Sequence, residues 1–386
     1  MKILMVLGRS TGGIGTHVRQ LADDLRREGH EVLLVTDLET ARHFAWVDAV
    51  TWWPRTLGGL LRWRGRLRRL AAGSDVVHAH GIQAGAAVAL ALPRRQPAVV
   101  VSLHNPPPTG GWGGRVGTAL ARVALRRANL TTGASADLVE TARRLGATRT
   151  RLAPVPSPLV PQLLARPVPD AARRATLVEE LDLGPGPLVL TVARLAPQKR
   201  LDVVVAALAL MTHRPRLCWA VVGGGDAGLR ADLEARGAGT GVVFLGPRSD
   251  VATLLEAASV LVVSSDWEAR ALVVQEAMAA GVPVLATRVG GVPDLLAGTG
   301  RLVPPGSPTE LAAALDDLLD DLAGDDSGEV GGEVSGEVSG DRATGVPDGS
   351  VRVAEQVQRA RELAGSWDDG PASARRWAQW YAATGP

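Results

Sequence analysis

Apolar residues recur along this chain in two alternating rhythms. Short continuous runs bounded by glycine or charge read as buried strands. Stretches with apolar positions three and four apart read as amphipathic helices. Lys2 to Leu7 is the first run. It leads into Gly8-Arg-Ser-Thr-Gly-Gly-Ile-Gly15, a stretch that no regular element accommodates. From His17 to Arg27, Val18, Leu21, Ala22 and Leu25 share one helical face; Gly29 ends the helix, and Glu31 to Thr36 is a second run. Strand, glycine loop, helix, strand is the opening of a βαβ unit in a doubly wound sheet. Further strands are expected at Val76–Ala79, Val99–Leu103 and Leu130–Thr132.

Prolines crowd the segment around 158–187 (Pro158, Pro161, Pro167, Pro169, Pro185, Pro187), which reads as a linker with one short helix near 170–181. The alternation then restarts. Strands are expected at Leu188–Val192, Cys218–Val222, Val242–Leu245, Val260–Val263 and Val284–Ala286, and helices at Leu201–Met211, 228–236, 250–258 and 271–280. Residues 323–350 break the pattern with Ser327-Gly-Glu-Val330, Gly331-Gly-Glu-Val334 and Ser335-Gly-Glu-Val338. That segment holds seven acids, one arginine and eight glycines, cannot bury a core, and is expected to be a disordered loop. The organisation is therefore an α/β domain over 1–160, a linker over 161–187, a second α/β domain over 188–322, the acidic glycine-rich insert 323–350, and a helical segment 351–386 carrying Trp367, Trp377 and Trp380.

A chain of 386 residues with 46% apolar and 21% charged positions is globular and long enough for two domains. A single cysteine, Cys218, excludes a disulfide framework and a cysteine-built zinc site and fits a reducing compartment. The first residues carry too short an apolar run for a signal peptide, and no uncharged stretch reaches the ~20 residues of a membrane span. Of 42 basic residues only Lys2 and Lys199 are lysines, which makes the interior Lys199 conspicuous. Residues 1–160 hold 22 basic and 10 acidic side chains, net +12, while 161–386 hold 20 and 30, net −10. A basic half beside an acidic half points to an anionic partner for the first, or to a compositional bias carried on a solvated face.

Three groups of residues carry candidate chemistry. In Ser264-Ser-Asp-Trp-Glu268-Ala-Arg-Ala-Leu272-Val-Val-Gln-Glu276-Ala-Met-Ala-Ala-Gly281-Val-Pro-Val284, Glu276 lies inside an apolar helix, where a carboxylate has to accept hydrogen bonds. Glu268 lies just before that helix, whose N-terminal N–H groups are suited to an anion such as a diphosphate. The alternative is a pair of solvated or salt-bridged glutamates. In Thr191-Val-Ala-Arg194-Leu-Ala-Pro-Gln-Lys199-Arg200, Arg194 and Lys199 follow a strand and can reach a phosphate at its carboxyl end. Gly12-Gly13-Ile14-Gly15, Gly223-Gly224-Gly225 and Gly290-Gly291 are close-approach turns, individually weak as signals.

Taken in order, these segments resemble the retaining glycosyltransferases of family 4, which have the two-domain GT-B architecture. The matching residues are Gly12-Gly13, Gly29-His-Glu-Val32, Asp75-Val-Val-His-Ala-His80, His104, Arg194-Leu-Ala-Pro-Gln-Lys199, Val242-Val-Phe-Leu-Gly246, Glu268, and Glu276-Ala-Met-Ala-Ala-Gly-Val-Pro-Val284. The resemblance covers nearly all of the chain outside 323–350. It implies two Rossmann-like domains, the first on the acceptor side and the second binding a nucleotide-diphosphate sugar, with the donor between them and the last helix crossing back to the first. It implies hexosyl transfer with Glu268, Arg194, Lys199 and His104 in catalytic roles. Gly12, Gly13, Gly223, Gly246, Ala271, Leu272, Val273 and Glu276 would bind the donor. Arg194 and Lys199 would neutralise the departing diphosphate, where fixed cations stabilise developing charge most. No metal or other cofactor is implied, and no Asp-x-Asp pair is present; His78 and His80 read as structural, a metal pair without a nearby third ligand.

The chain departs from the family pattern where Glu268-Ala-Arg-Ala-Leu272 stands for E-x-F-G-L, Pro156-Ser-Pro158 for P-N-G, and Lys199-Arg200 for K-G. These departures bear on donor identity and on catalytic power. The Arg-rich helix 57–70 puts Leu60, Trp63, Leu67 and Leu70 opposite Arg62, Arg66 and Arg69; family members dock on membranes through such a helix, so an anionic membrane surface is a further expected partner, the alternative being a sheet-covering helix with an Arg-rich outer face, and nucleic acid is not expected. Arg115, Arg122, Arg126 and Arg127 form a second basic patch. The expected location is cytoplasmic, peripheral on the inner face of the membrane, with the acceptor unidentified (lipid-linked or a cell-envelope glycan precursor). Two other functions compete: a catalytically weakened sugar-nucleotide or membrane-binding protein, and a GT-B sugar-nucleotide epimerase.

Overall fold

The computed structural model describes residues 1–386 apart from 11, 52–56, 94–96, 109, 185, 212–216, 325–348 and 385–386. The insert expected over 323–350 lies almost wholly outside the described residues. The first series of elements is β1 (Lys2–Leu7), α1 (Gly13–Arg27), β2 (Glu31–Thr36), α2 (Leu38–His43), β3 (Val50–Thr51), α3 (Leu57–Ala71), β4 (Val76–His80), α4 (Ile82–Ala91), β5 (Ala98–Leu103), α5 (Gly111–Arg127), β6 (Leu130–Gly133), α6 (Ala136–Arg144) and β7 (Thr150–Leu152). The second is α7 (Val160–Leu164), α8 (Ala171–Glu180), β8 (Leu188–Val192), α9 (Leu201–Leu210), β9 (Cys218–Val222), α10 (Ala227–Arg236), β10 (Val242–Gly246), α11 (Val251–Ala257), β11 (Val260–Val263), α12 (Leu272–Ala280), β12 (Val284–Thr287), α13 (Val292–Leu296), β13 (Arg301–Val303), α14 (Pro308–Gly324) and α15 (Gly349–Gly365). The last helix is α16 (Gly370–Ala382).

The chain divides into two units. Unit 1 is Met1–Pro158, Glu268–Leu272 and Trp367–Pro386; unit 2 is Leu159–Trp267 and Val273–Ser366. Among the described residues, unit 1 holds a seven-stranded sheet in the order β3-β2-β1-β4-β5-β6-β7 and unit 2 a six-stranded sheet in the order β10-β9-β8-β11-β12-β13. Every pairing is parallel. Strands covered on both faces are mostly apolar, and β4, β5, β9 and β11 are buried at every position, with His78 and His80 on β4 and Ser102 on β5 as polar exceptions.

In each sheet the winding reverses at one place: between β1 and β4 in unit 1, and between β8 and β11 in unit 2. Loops leaving adjacent strands there diverge and leave a crevice at the carboxyl ends, where open α/β sheets bind ligands. The Gly-rich loop after β1 and the Arg194–Lys199 segment after β8 both lie at such points.

Several elements were hidden in the sequence. The short strands β3, β7 and β13 carry too few residues for a periodicity. The stretch expected as one final helical segment is two helices, α15 and α16, with α16 packed on α1: Arg375 donates to Glu28 Oε1 at 2.9 Å, and Gly370 faces Asp24. The proline-rich segment holds α7 as well as α8 and packs within unit 2, where the Arg174 guanidinium donates to the carbonyls of Glu256 at 3.0 Å and Gly281 at 3.1 Å.

Residues beyond β8 continue the sheet. Ala193 N–H donates to Val222 O at 2.8 Å, Leu195 N–H to Gly224 O at 2.8 Å, and Gly223 N–H to Gly246 O at 2.9 Å. Gly223 has φ +145°, and a β-carbon there would lie 2.0 Å from the Ala193 carbonyl oxygen. Gly225, at φ +156°, would meet the Leu195 carbonyl oxygen at 2.3 Å. Substitution Gly223→Ala is therefore expected to cost about 3 kcal/mol or more, because neither backbone can yield without breaking the ladder. Urea unfolding checks this; a loss under about 1 kcal/mol would show that the turn relaxes freely.

Candidate functional site

In unit 2 the predicted residues gather at the strand-reversal point. The 3₁₀ turn Pro197–Lys199 closes with Lys199 N–H on Ala196 O at 2.9 Å, and its proline pre-sets the backbone. The turn is stitched to the segment leaving β11. Ser264 Oγ donates to Lys199 O at 2.8 Å, Asp266 N–H to Gln198 O at 2.9 Å, and Gln198 Nε2 to Trp267 O at 2.8 Å. Arg200, left-handed at φ +48°, spans the two loops through Asp202 at 3.0 Å and Asp266 at 3.1 Å. Those hydrogen bonds, Asp202's the larger, raise its pKa above the ordinary guanidinium value. So Arg200 secures the loop, while Arg194 beside it is exposed and Lys199 half-buried. Gly223 and Gly246 flank this turn through their mutual hydrogen bond. Glu276 is buried within α12, next to Gln275. Val273 opens the unit 2 part of that helix.

Gly12, Gly13, His104, Glu268, Ala271 and Leu272 belong to unit 1. Gly12 O accepts from Gly15 N–H at 2.9 Å, starting α1 without a side-chain cap. Gly13 lies against Leu272, whose Cδ1 would be 3.5 Å from an added β-carbon. Ala271 is buried. Arg270, where the family pattern has an aromatic, lies over the Trp367 ring with its Cζ 4.8 Å from the centroid. Burial, with Arg376 as the second cause, pulls its pKa down to about 10.

His104 has company that sequence reasoning missed. His80 Nδ1 is 3.1 Å from His104 Nε2, their rings stack at 5.4 Å, and His17 lies 5.9 Å from His80 and 5.5 Å from His104. All three are buried, with one nitrogen from each within 4.8 Å of the others. The expectation that His80 lacks a nearby third metal ligand is thus overturned: α1 and the end of β5 supply His17 and His104. His78 sits behind them, its ring 3.9 Å from that of His80. Its Nδ1 is bonded to Tyr381 Oη at 2.7 Å and its Nε2 to Ser102 Oγ at 2.7 Å, and Ser102 continues to Thr132 at 2.7 Å. The only sequence signal for His17 was its place one turn into the helix after a glycine loop. Tyr381, on α16, gave none.

The basic helix over 57–70 fits the sheet-covering alternative better than the membrane-docking one. Trp63 and Leu67 are each 1% exposed, so the described part of its apolar face is spent inside unit 1 and only arginines (Arg62, Arg64, Arg66, Arg68, Arg69) face outward. Three exposed large apolar side chains lie together on α5, Trp112 at 80%, Val116 at 45% and Val123 at 41%, with Arg115, Arg122 and Arg126 also exposed. Among the described residues no helix is long and apolar enough to cross a membrane.

Two parallel-sheet α/β units, each with a glycine turn at its strand-reversal point, define the GT-B class. The crystal structure of Anabaena Alr3699/HepE in complex with UDP shares this fold at a TM-score of 0.77 and 20% identity, over 99% of this chain and 100% of that one. The lipopolysaccharide glycosyltransferase WaaG does so at 0.70 and 17%, over 98% of each. The family described as Glycosyl transferase 4-like domain matches residues 12–158, and Glycosyl transferases group 1 matches 186–321. The GDP-mannose-dependent alpha-(1-6)-phosphatidylinositol monomannoside mannosyltransferase of Mycolicibacterium smegmatis is 32% identical over 281 residues, 66% of this chain and 70% of that protein. The alpha-D-kanosaminyltransferase of Streptomyces kanamyceticus is 35% identical over 155 residues, 38% of this chain and 40% of that protein. The chain belongs to this glycosyltransferase family.

The buried histidines set a pH dependence. Burial, aided by His104, lowers the His17 pKa from 6.5 to about 3, and burial lowers His104 to about 4. The unfolded chain therefore binds protons that the folded chain refuses between about pH 6.5 and 3. Stability is complete above that window and is lost as the pH falls through it. At one unit below the ordinary value, each such histidine costs about 1.4 kcal/mol. Melting temperature in chelator-containing buffer is expected to fall between about pH 7.5 and 5.5; a flat profile would mean that the imidazoles are hydrated.

Proposed function

We propose that this protein is a retaining glycosyltransferase that moves a hexosyl unit from a nucleotide-diphosphate sugar to an acceptor hydroxyl. The observation that carries the reading is the stitched turn after β8, which holds Arg194 and Lys199 at the carboxyl edge where the unit 2 sheet reverses. Breaking the anomeric bond puts negative charge on the departing phosphate oxygens. Cations fixed in advance stabilise that charge without reorganisation. Glu276, buried one turn into α12, takes the ribose hydroxyls, and the loop carrying Glu268 takes the sugar. Gly223 and Gly246 let the nucleotide approach the backbone closely, as Gly12 and Gly13 do for the sugar end. The names of relatives support the donor class: one is GDP-mannose-dependent, and the HepE structure contains UDP. No cofactor is needed for this chemistry.

Release of free sugar from a panel of UDP-, GDP- and ADP-sugars, with no acceptor present, tests the assignment. Lys199→Ala and Glu268→Gln are each expected to lower kcat/KM by about 10²–10³-fold. Unchanged turnover in both would remove the enzyme reading. Conversion of the donor to an isomeric sugar nucleotide would favour an epimerase. Nucleotide-dependent thermal shift with no turnover at all would favour a silenced binding protein, for which Arg270 and Ala271 are the sequence basis.

We propose further that the acceptor is lipid-linked and that the protein meets it at the inner face of a membrane through α5. The exposed Trp112, Val116 and Val123, with arginines between them, fit an interfacial helix, and the +12 charge of residues 1–160 fits an anionic surface. In co-sedimentation with phosphatidylglycerol vesicles at low salt, Trp112→Ala is expected to weaken binding at least about tenfold. Equal binding by the variant would exclude this face.

A further inference from the structure

Three imidazoles from distant parts of the chain converge in unit 1. His17 comes from α1, His80 from the last position of β4 and His104 from just beyond β5. One nitrogen of each lies within 4.8 Å of the other two, and all three residues are buried. His80 Nδ1 and His104 Nε2 are already 3.1 Å apart. Metal–nitrogen bonds of ~2.0–2.1 Å in a tetrahedral set place the nitrogens roughly 3.3 Å from one another, so His17 has to approach by about 1.5 Å at most. The other nitrogen of His80, Nε2, is buried and has no hydrogen-bond partner among the described residues. A polar atom left without a partner at that depth is destabilising. His78 is not part of the set, since Tyr381 and Ser102 engage both of its nitrogens; its ring backs His80.

We propose that His17, His80 and His104 bind one divalent transition-metal ion of the zinc, nickel or copper class, with a fourth position left for water or a hydroxyl. An all-imidazole set selects these ions over magnesium or calcium, which require oxygen donors. Ligation uses one lone pair from each imidazole in its neutral form. On the sugar-transfer reading, an ion at this position occupies His104 and acts as an inhibitor.

The test reads binding, so it is independent of any sugar transfer. Full-length protein stripped with chelator is titrated with cobalt(II) and then zinc(II), followed by visible absorption. One equivalent of cobalt is expected to give the d–d band of a tetrahedral nitrogen-ligated ion, and zinc to abolish it. His17→Gln and His80→Gln are each expected to weaken binding at least about 100-fold, above what loss of a supporting residue costs. His43→Gln, at an exposed histidine, is expected to leave it unchanged. Circular dichroism checks that each variant is folded. Should both ligand variants fail to fold, the wild-type melting temperature decides: it is expected to rise with zinc and return with chelator. No band at one equivalent, a band that survives His17→Gln, or a melting temperature indifferent to zinc overturns the proposal.

Discussion

The pairing of residues 193–195 with 222–225 depends on two missing β-carbons. At Gly223 and Gly225 the neighbouring carbonyl oxygens of Ala193 and Leu195 occupy the space that any side chain would enter. Because no side chain competes for that space, the ladder between β8 and β9 extends past the strand ends and carries the chain into the Pro197–Lys199 turn. The turn is then held from its other side by Ser264, Asp266 and Trp267. The backbone carrying Arg194 and Lys199 is so held at the carboxyl edge of the sheet, an arrangement that the proposed stabilisation of a leaving group would use. Arg200, only six residues from Arg194, is bound to two aspartates and so belongs to the scaffold.

Unit 1 meets a different constraint. Four histidines, His17, His78, His80 and His104, lie inside it, where charged imidazole is strongly disfavoured. His78 is satisfied by a hydrogen-bonded line from Tyr381 through Ser102 to Thr132, which ties the last helix to three strands of the sheet. Aromatic neighbours complete that line, with the Trp377 ring 4.6 Å from His78. The other three imidazoles largely face one another. Such a group is most stable at a pH that leaves it neutral.

Exposure, more than composition, distinguishes the two arginine-rich helices of this unit. On α3 the apolar side chains Trp63 and Leu67 complete the core, so its arginines are an outer solvated face. On α5 Leu125 and the small residues Gly114, Gly117, Ala121 and Ala124 pack inward, while Trp112, Val116 and Val123 remain outside. The sequence shows an apolar stripe on the first and only a basic patch on the second; packing alone decides which side chains of each are buried.

From the sequence, the fold class and most of the elements were legible. The strands Leu188–Val192, Cys218–Val222 and Val260–Val263 coincide with the observed ones because parallel strands buried on both faces are uninterrupted apolar runs. The family motifs, too, are short local strings, since glycine turns and helix starts are local chemistry. Contacts between residues far apart in the chain were not legible: His78 with Tyr381 across 303 positions, Arg200 with Asp266 across 66, and the meeting of His17, His80 and His104. Those depend on which strands lie side by side where each sheet reverses. Local periodicity determines that a strand forms; only the packed tertiary structure decides its neighbours, because burial of the whole sheet selects the order.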